Sequence, residues 1–152
     1  MYRFRVVVAE VPRRLRAVSA FLIAALVLAS AVAASGGGLY KGKSKQGLPV
    51  SFRVSGTAVK SFSLTGNAIC ISASKSANES YVLRSAKTGK LSGRGAFTIS
   101  YVKNTTHVKI TGKVSGKSAS GRVELHYTKL WQVSGQLQPV TCWINTNWTV
   151  KR

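Results

Sequence analysis

From residue 50 onward, apolar side chains recur at every second position, and this alternation leaves few folds open. Val50, Phe52 and Val54 alternate with Ser51, Arg53 and Ser55, then Phe62 and Leu64 continue the pattern, and Ile69 and Ile71 flank Cys70. Beyond Tyr81-Val82-Leu83 the period returns in Phe97, Ile99 and Tyr101, in Val108, Ile110 and Val114, and in Val123, Leu125 and Tyr127. PVTCWINTNWTV, residues 139–150, carries it almost to the C-terminus. A period of two places alternate side chains on opposite faces of an extended strand, and no stretch after residue 34 repeats at helical spacing. Glycine, serine and asparagine punctuate the runs as turns require. Eight or nine antiparallel strands are expected, folded as an all-β sandwich, with a β-barrel as the alternative. Residues 74–80, SKSANES, carry no such run of apolar residues and read as a polar loop.

The first 33 residues read differently. Arg3, Arg5, Arg13, Arg14 and Arg16 precede the apolar run AVSAFLIAALVLA, residues 17–29, and Ala31-Val32-Ala33 offers the small residues a signal peptidase needs. The expectation is a signal helix over residues 1–33 cleaved after Ala33, with an uncleaved membrane anchor as the alternative. A short Gly/Ser-rich mature terminus, residues 34–38, and a single all-β domain, residues 39–152, follow. One domain is what a mature chain of this length accommodates.

Charge bounds the partners. Five arginines and Glu10 leave with the leader, so eighteen cationic side chains remain against Glu79 and Glu124, a net charge of about +16. Such a surface favours anionic partners. The same scarcity of carboxylates excludes a reading that GGLYKGKS, residues 37–44, invites by matching the phosphate-loop pattern letter for letter. A phosphate loop sits between a buried strand and a helix and needs an acidic residue for magnesium. Here KQGLPVSFRV follows, a turn and then a strand, and the chain has no aspartate. No nucleotide, metal or other cofactor is expected.

Cys70 and Cys142 are the only cysteines, and an even pair in an exported chain reads as one disulfide. Thr88-Gly89-Lys90-Leu91-Ser92-Gly93-Arg94 echoes Thr111-Gly112-Lys113-Val114-Ser115-Gly116-Lys117, and this reads as turn chemistry used twice. The sequons at Asn78, Asn104 and Asn147 likewise read as turns. Val50, Phe52 and Val54 follow Tyr40, Gly42, Ser44, Gln46 and Gly47, and the chain closes with Cys142, Trp148, Thr149 and Lys151. In these motifs, Y-x-G-x-[ST]-x-Q-G-x-x-V-x-F-x-V and C…W-T-x-[KR], most of residues 38–152 resembles an uncharacterised group of secreted bacterial β-rich proteins. The resemblance implies export, an all-β domain and the disulfide, and it implies no activity.

Three function classes follow from the side chains. Lys41, Lys43 and Lys45 share one side of the first strand, and Lys109 and Lys113 share one side of a later strand that Arg122 approaches. Such rows suit an anionic envelope or extracellular polymer. Nucleic acid is not expected as a partner, because the phenylalanines fall on apolar faces and leave no aromatics interleaved with the charges. Membrane contact is expected only through an uncleaved leader. Trp131 and Trp143 are candidates for stacking on sugar, with Trp143 on the side opposite its neighbour Cys142, so a carbohydrate-binding module is the second reading. A hydrolase or metal enzyme is the third: His107, His126 and Glu124 would have to converge, and the simpler reading leaves them as solvated cross-strand neighbours with no catalytic or metal role. The leading expectation is a secreted or envelope-associated, non-enzymatic binding protein of unspecified oligomeric state.

Overall fold

A computed structural model describes residues 37–73 and 75–152. The expected signal helix and the expected cleavage after Ala33 lie outside the described residues. The described chain forms nine strands: β1 (Gly38–Ser44), β2 (Pro49–Ser55), β3 (Ala58–Ile71), β4 (Ser76–Arg84), β5 (Gly89–Lys90), β6 (Ala96–Lys103), β7 (Thr106–Ser115), β8 (Ser118–Val133) and β9 (Gln136–Lys151). They belong to one antiparallel sheet ordered β4-β3-β2-β1-β9-β8-β7-β6, with the short β5 paired to β3. The protein is therefore all-β and antiparallel, and its two layers are wings of one sheet. Phe97 on β6 lies 5.9 Å from Phe52 on β2 and 6.2 Å from Trp148 on β9, so the wings meet across a shared core. β1 begins at Gly38, at the edge of the expected domain boundary.

Alternation sets what each strand contributes. On β2 the side chains of Val50, Phe52 and Val54 are buried, as expected of half-buried strands. β3 needs one irregularity to bury both Val59 and Phe62: Ser61 takes a left-handed conformation with φ of 53°, and the register against β2 shifts there. Phe52 stacks on Tyr40 at 5.1 Å and meets Phe62 at 5.9 Å, and Trp148 lies 5.6 Å from both phenylalanines. Aromatic clustering of this kind adds to burial through ring packing. Two glycines make room for it. Phe97, Gly112, Gly121 and Trp148 form one register row across β6, β7, β8 and β9. A Cβ on Gly112 would approach Phe97 Cε1 and Trp148 Cζ2 to 2.7 Å each, and one on Gly121 would collide with the Thr111 carbonyl and Trp148.

The echo between residues 88–94 and 111–117 has two matching glycine pairs. Gly93 and Gly116 both lie in turns, as expected, whereas Gly89 and Gly112 are strand residues packed against Phe97. Turn chemistry and packing both repeat there. GGLYKGKS is also resolved: Gly38–Ser44 is a strand, and Gly42 lets β1 approach β9, because a Cβ there would meet the Val150 Cα at 2.7 Å.

The far half of the sheet closes differently. β1 and β2 end early, and β3 then pairs directly with β9 through Ile69–Trp143, Cys70–Cys142 and Ile71–Thr141. The Cys70–Cys142 disulfide sits on the central pair, with Cα atoms 4.0 Å apart. Closing a loop of 72 positions constrains the unfolded chain by about 4 kcal/mol. Residues 76–80, expected in a loop, belong to β4 and pair with Asn67–Ile71. Their polar side chains obscured the alternation, in which Ala77, Glu79, Tyr81 and Leu83 are the more buried members. Asn78 and Asn147 likewise lie in strands, and only Asn104 occupies a turn, with φ of 52°.

Candidate functional site

The outer face of β1, β9, β8 and β7 collects the cations. On β1, Tyr40 and Ser44 point into the core, so Lys41 and Lys43 point out; on β9, Trp148 and Val150 point in, so Thr149 and Lys151 point out. Register then builds two rows. Lys41 stands opposite Lys151, which stands opposite Ser118, and Lys43 stands in line with Thr149, Ser120 and Lys113. Together they bound an open groove of about 600 Å³ whose lining has four lysines, hydroxyl groups and no carboxylate. Like charges directly opposed on neighbouring strands repel, and an anion between them relieves the repulsion. Serine and threonine hydroxyls add donors that suit phosphate or sulfate oxygens.

The six expected anion-binding residues divide among three places on this face. Lys41, Lys43 and Lys113 share the groove. Lys45 and Arg122 line an adjoining depression of about 380 Å³ with Asn145 and Asn147. Arg122 is partly engaged there, its Nε donating to Asn145 Oδ1 at 2.7 Å and lying 3.3 Å from Glu124 Oε1. Lys109 lies apart, in register with Glu124 and beside His107 and His126 in a hollow of about 180 Å³. Lys151 also belongs to the groove, beyond the six residues that the sequence singles out. Its alternation, with Trp148 and Val150 inside and Thr149 and Lys151 outside, was the available signal.

His107, His126 and Glu124 do line one hollow: the two histidines are register partners, and Glu124 is in register with Lys109 and lies 3.3 Å from Arg122 Nε. Among the described residues no group of three or more His, Cys, Asp or Glu side chains is arranged to hold a metal ion.

The two tryptophans considered for sugar lie on opposite faces. Trp143 is half-buried on the outer face, in line with Ile69 and His126. Trp131 is on the inner face, where its Nε1 donates to Glu79 Oε1 at 2.9 Å and the Lys129 ammonium stands 5.4 Å from its ring centroid. The two do not make one stacking platform, and Trp131 already has partners at its edge and its face. Lys129 also bonds Glu79 directly. That hydrogen bond holds the Glu79 carboxyl below its ordinary range against the opposing effect of burial, helped by the charge of Lys129 and the Trp131 indole. Tyr81 and Tyr127 pack 4.7 Å apart beside this cluster. Burial pushes both phenols up, with Tyr101 adding for Tyr81, and Glu79 and then Tyr81 adding for Tyr127.

No protein-family model matches the chain, and comparison with curated proteins and with solved structures finds no match either.

Proposed function

We propose that this is a secreted, non-enzymatic protein whose lysine-lined outer face binds an anionic envelope or extracellular polymer. The observation that carries the reading is the opposition of Lys41 and Lys151, with Lys43 and Lys113 on the next row, around a groove that no carboxylate lines. Sheets ordinarily place opposite charges across a strand pair. Keeping like charges opposed has a stability cost that a bound polyanion offsets. Glu79 and Glu124 are each paired with a cation, so neither is free to act in a carboxylate pair of the kind glycoside hydrolysis uses. The disulfide is compatible with an extracellular location and supports export.

The test separates a site from mere net charge. Retention of the mature protein on heparin and on isolated cell-wall polymer is measured as salt rises, beside Lys41→Gln/Lys43→Gln/Lys151→Gln and a charge-matched control, Lys87→Gln/Lys90→Gln/Arg94→Gln. The groove variant is expected to elute at much lower salt, with the slope of log affinity against log salt reduced by about two to three. Equal elution of both variants overturns the reading.

A further inference from the structure

One region departs from the basic character of the rest. Between Lys129 and Lys151 the chain carries no charged residue at all, although its net charge is strongly positive. The first half of that stretch is the end of the β8–β9 hairpin. β7 pairs with β8 only up to His126, and β3 pairs with β9 only from Thr141 onward, so residues 129–140 extend past both neighbours as a two-stranded ribbon. Its outer face presents Leu130 and Leu137, 60% and 68% exposed, flanking Pro139. Toward the base, Trp143, Ile69 and Ile71 continue the apolar strip, the two isoleucines 45% and 44% exposed. Large exposed side chains grouped on one projecting element mark an interaction surface.

The ribbon is also held from beneath. Lys129 and Trp131, on its inner face, are both bonded to Glu79 of β4, so the projecting leucines are presented by a fixed element. Cations flank its base on both sides. Lys75 precedes β4 beside the Ile71–Thr141 pair, and Lys103 ends β6 at the turn whose Thr105 hydroxyl donates to the Thr128 carbonyl at 2.9 Å.

We propose that this ribbon docks by its outer face onto an anionic phospholipid bilayer, with Leu130 and Leu137 in the acyl boundary, Trp143 at the headgroup level, and Lys75 and Lys103 on lipid phosphates. Exposed leucines on an uncharged outer face, with a tryptophan behind them and cations at the base, are the arrangement an interfacial anchor needs. A second copy of the chain suits the tip less well, since docking tip to tip would bring two cationic collars together. Membrane contact then extends beyond the leader, to which the sequence confined it. The proposal is independent of the lysine groove.

The experiment measures co-sedimentation of the mature protein with mixed phosphatidylglycerol–phosphatidylcholine vesicles and with pure phosphatidylcholine vesicles. Leu130→Ser/Leu137→Ser and Lys75→Gln/Lys103→Gln are compared with wild type, each also run on heparin and by sedimentation velocity. Wild type is expected on the phosphatidylglycerol vesicles, with binding reduced about tenfold in the leucine variant and about tenfold in the collar variant. Heparin retention of the leucine variant should be unchanged. Vesicle-bound brominated lipid should quench tryptophan fluorescence in wild type, and less so in Trp143→Phe. Unchanged vesicle binding in the leucine variant overturns the proposal. So does a wild-type dimer that the leucine variant dissociates without any vesicle binding, which would make the tip a self-interface. A groove variant that behaves like its charge-matched control on heparin counts against the polymer reading alone.

Discussion

The two ends of the long β9 strand are stabilised in different ways. At its C-terminal end, Trp148 is buried among Phe52, Phe62 and Phe97 and seated on Gly112 and Gly121. At its N-terminal end, the strand leaves the sheet as half of a ribbon, secured by the disulfide at Cys142 and by the contacts of its partner β8 with Glu79. The first end is held by shape, and the second by a few specific bonds. The contrast teaches where each kind of residue is free to change. A close-packed aromatic core tolerates almost no alteration in volume, whereas bonds at a few points leave the surrounding surface available for contact with other molecules.

The sharpest attack on that contrast is Trp148→Ala. The side chain is 1% exposed, and its indole N–H, buried without a hydrogen-bond partner, makes packing its whole contribution. Removing it opens a cavity between three phenylalanines, and about 5 kcal/mol of stability should be lost, read as a fall in the urea midpoint. Gly121→Val approaches the same site from the other side. It should destabilise comparably, by driving a side chain into Trp148 and the Thr111 carbonyl. If either variant loses less than a comparable change on the ribbon, the packed end is not the dominant source of stability.

The second test is reduction. Opening Cys70–Cys142 should lower stability by about 4 kcal/mol, since the closed loop spans 72 positions. The loss should fall on the seam where β3 meets β9 without β1 and β2 between them. Amide exchange should therefore quicken first in residues 69–71 and 141–143, while amides around Trp148 stay protected. Uniform loss of protection would mean that the two ends unfold as one unit and that the contrast is only static.

How much of this was legible follows the same division. The alternation of Val50, Phe52 and Val54, or of Val123, Leu125 and Tyr127, reported strand and facing together, because burial selects apolar residues on one side only. The disulfide was legible from the count of two cysteines and the expectation of export, and the outward lysines of β1 from the same period of two. What stayed hidden was the inner face near Glu79, where burial is offset by polar contacts. SANES gives no apolar period because Glu79 is satisfied by Lys129 and Trp131, 50 and 52 positions away, and no local pattern shows such a partner. The groove was half visible, since Lys41 and Lys43 lie on one strand but their meeting with Lys113 and Lys151 depends on strand order.

Glu79 therefore carries the smallest stability effect and the most specific one. Glu79→Gln keeps the shape but removes the charge that Lys129 and Trp131 share, and with partly exposed partners the loss should be about 1 kcal/mol at neutral pH. The pH dependence has a definite sign. The folded-state carboxyl sits below its ordinary value of 4.5, so the unfolded chain takes up the proton first as pH falls. The contribution is fully present above about 4.5 and disappears as pH drops through the folded-state value. Denaturation of wild type and variant should differ at pH 7 and converge in acid. A second readout lies at the opposite end of the scale. The Glu79 charge is one of the causes, after burial, that raise the Tyr127 phenol. In the variant, Tyr127 should ionise at lower pH than in wild type while remaining above an ordinary tyrosine, followed by ultraviolet titration. A stability difference that persists unchanged in acid would mean that the ribbon is held by packing of Trp131 and not by the carboxylate. The two ends of β9 would then differ in degree and not in kind.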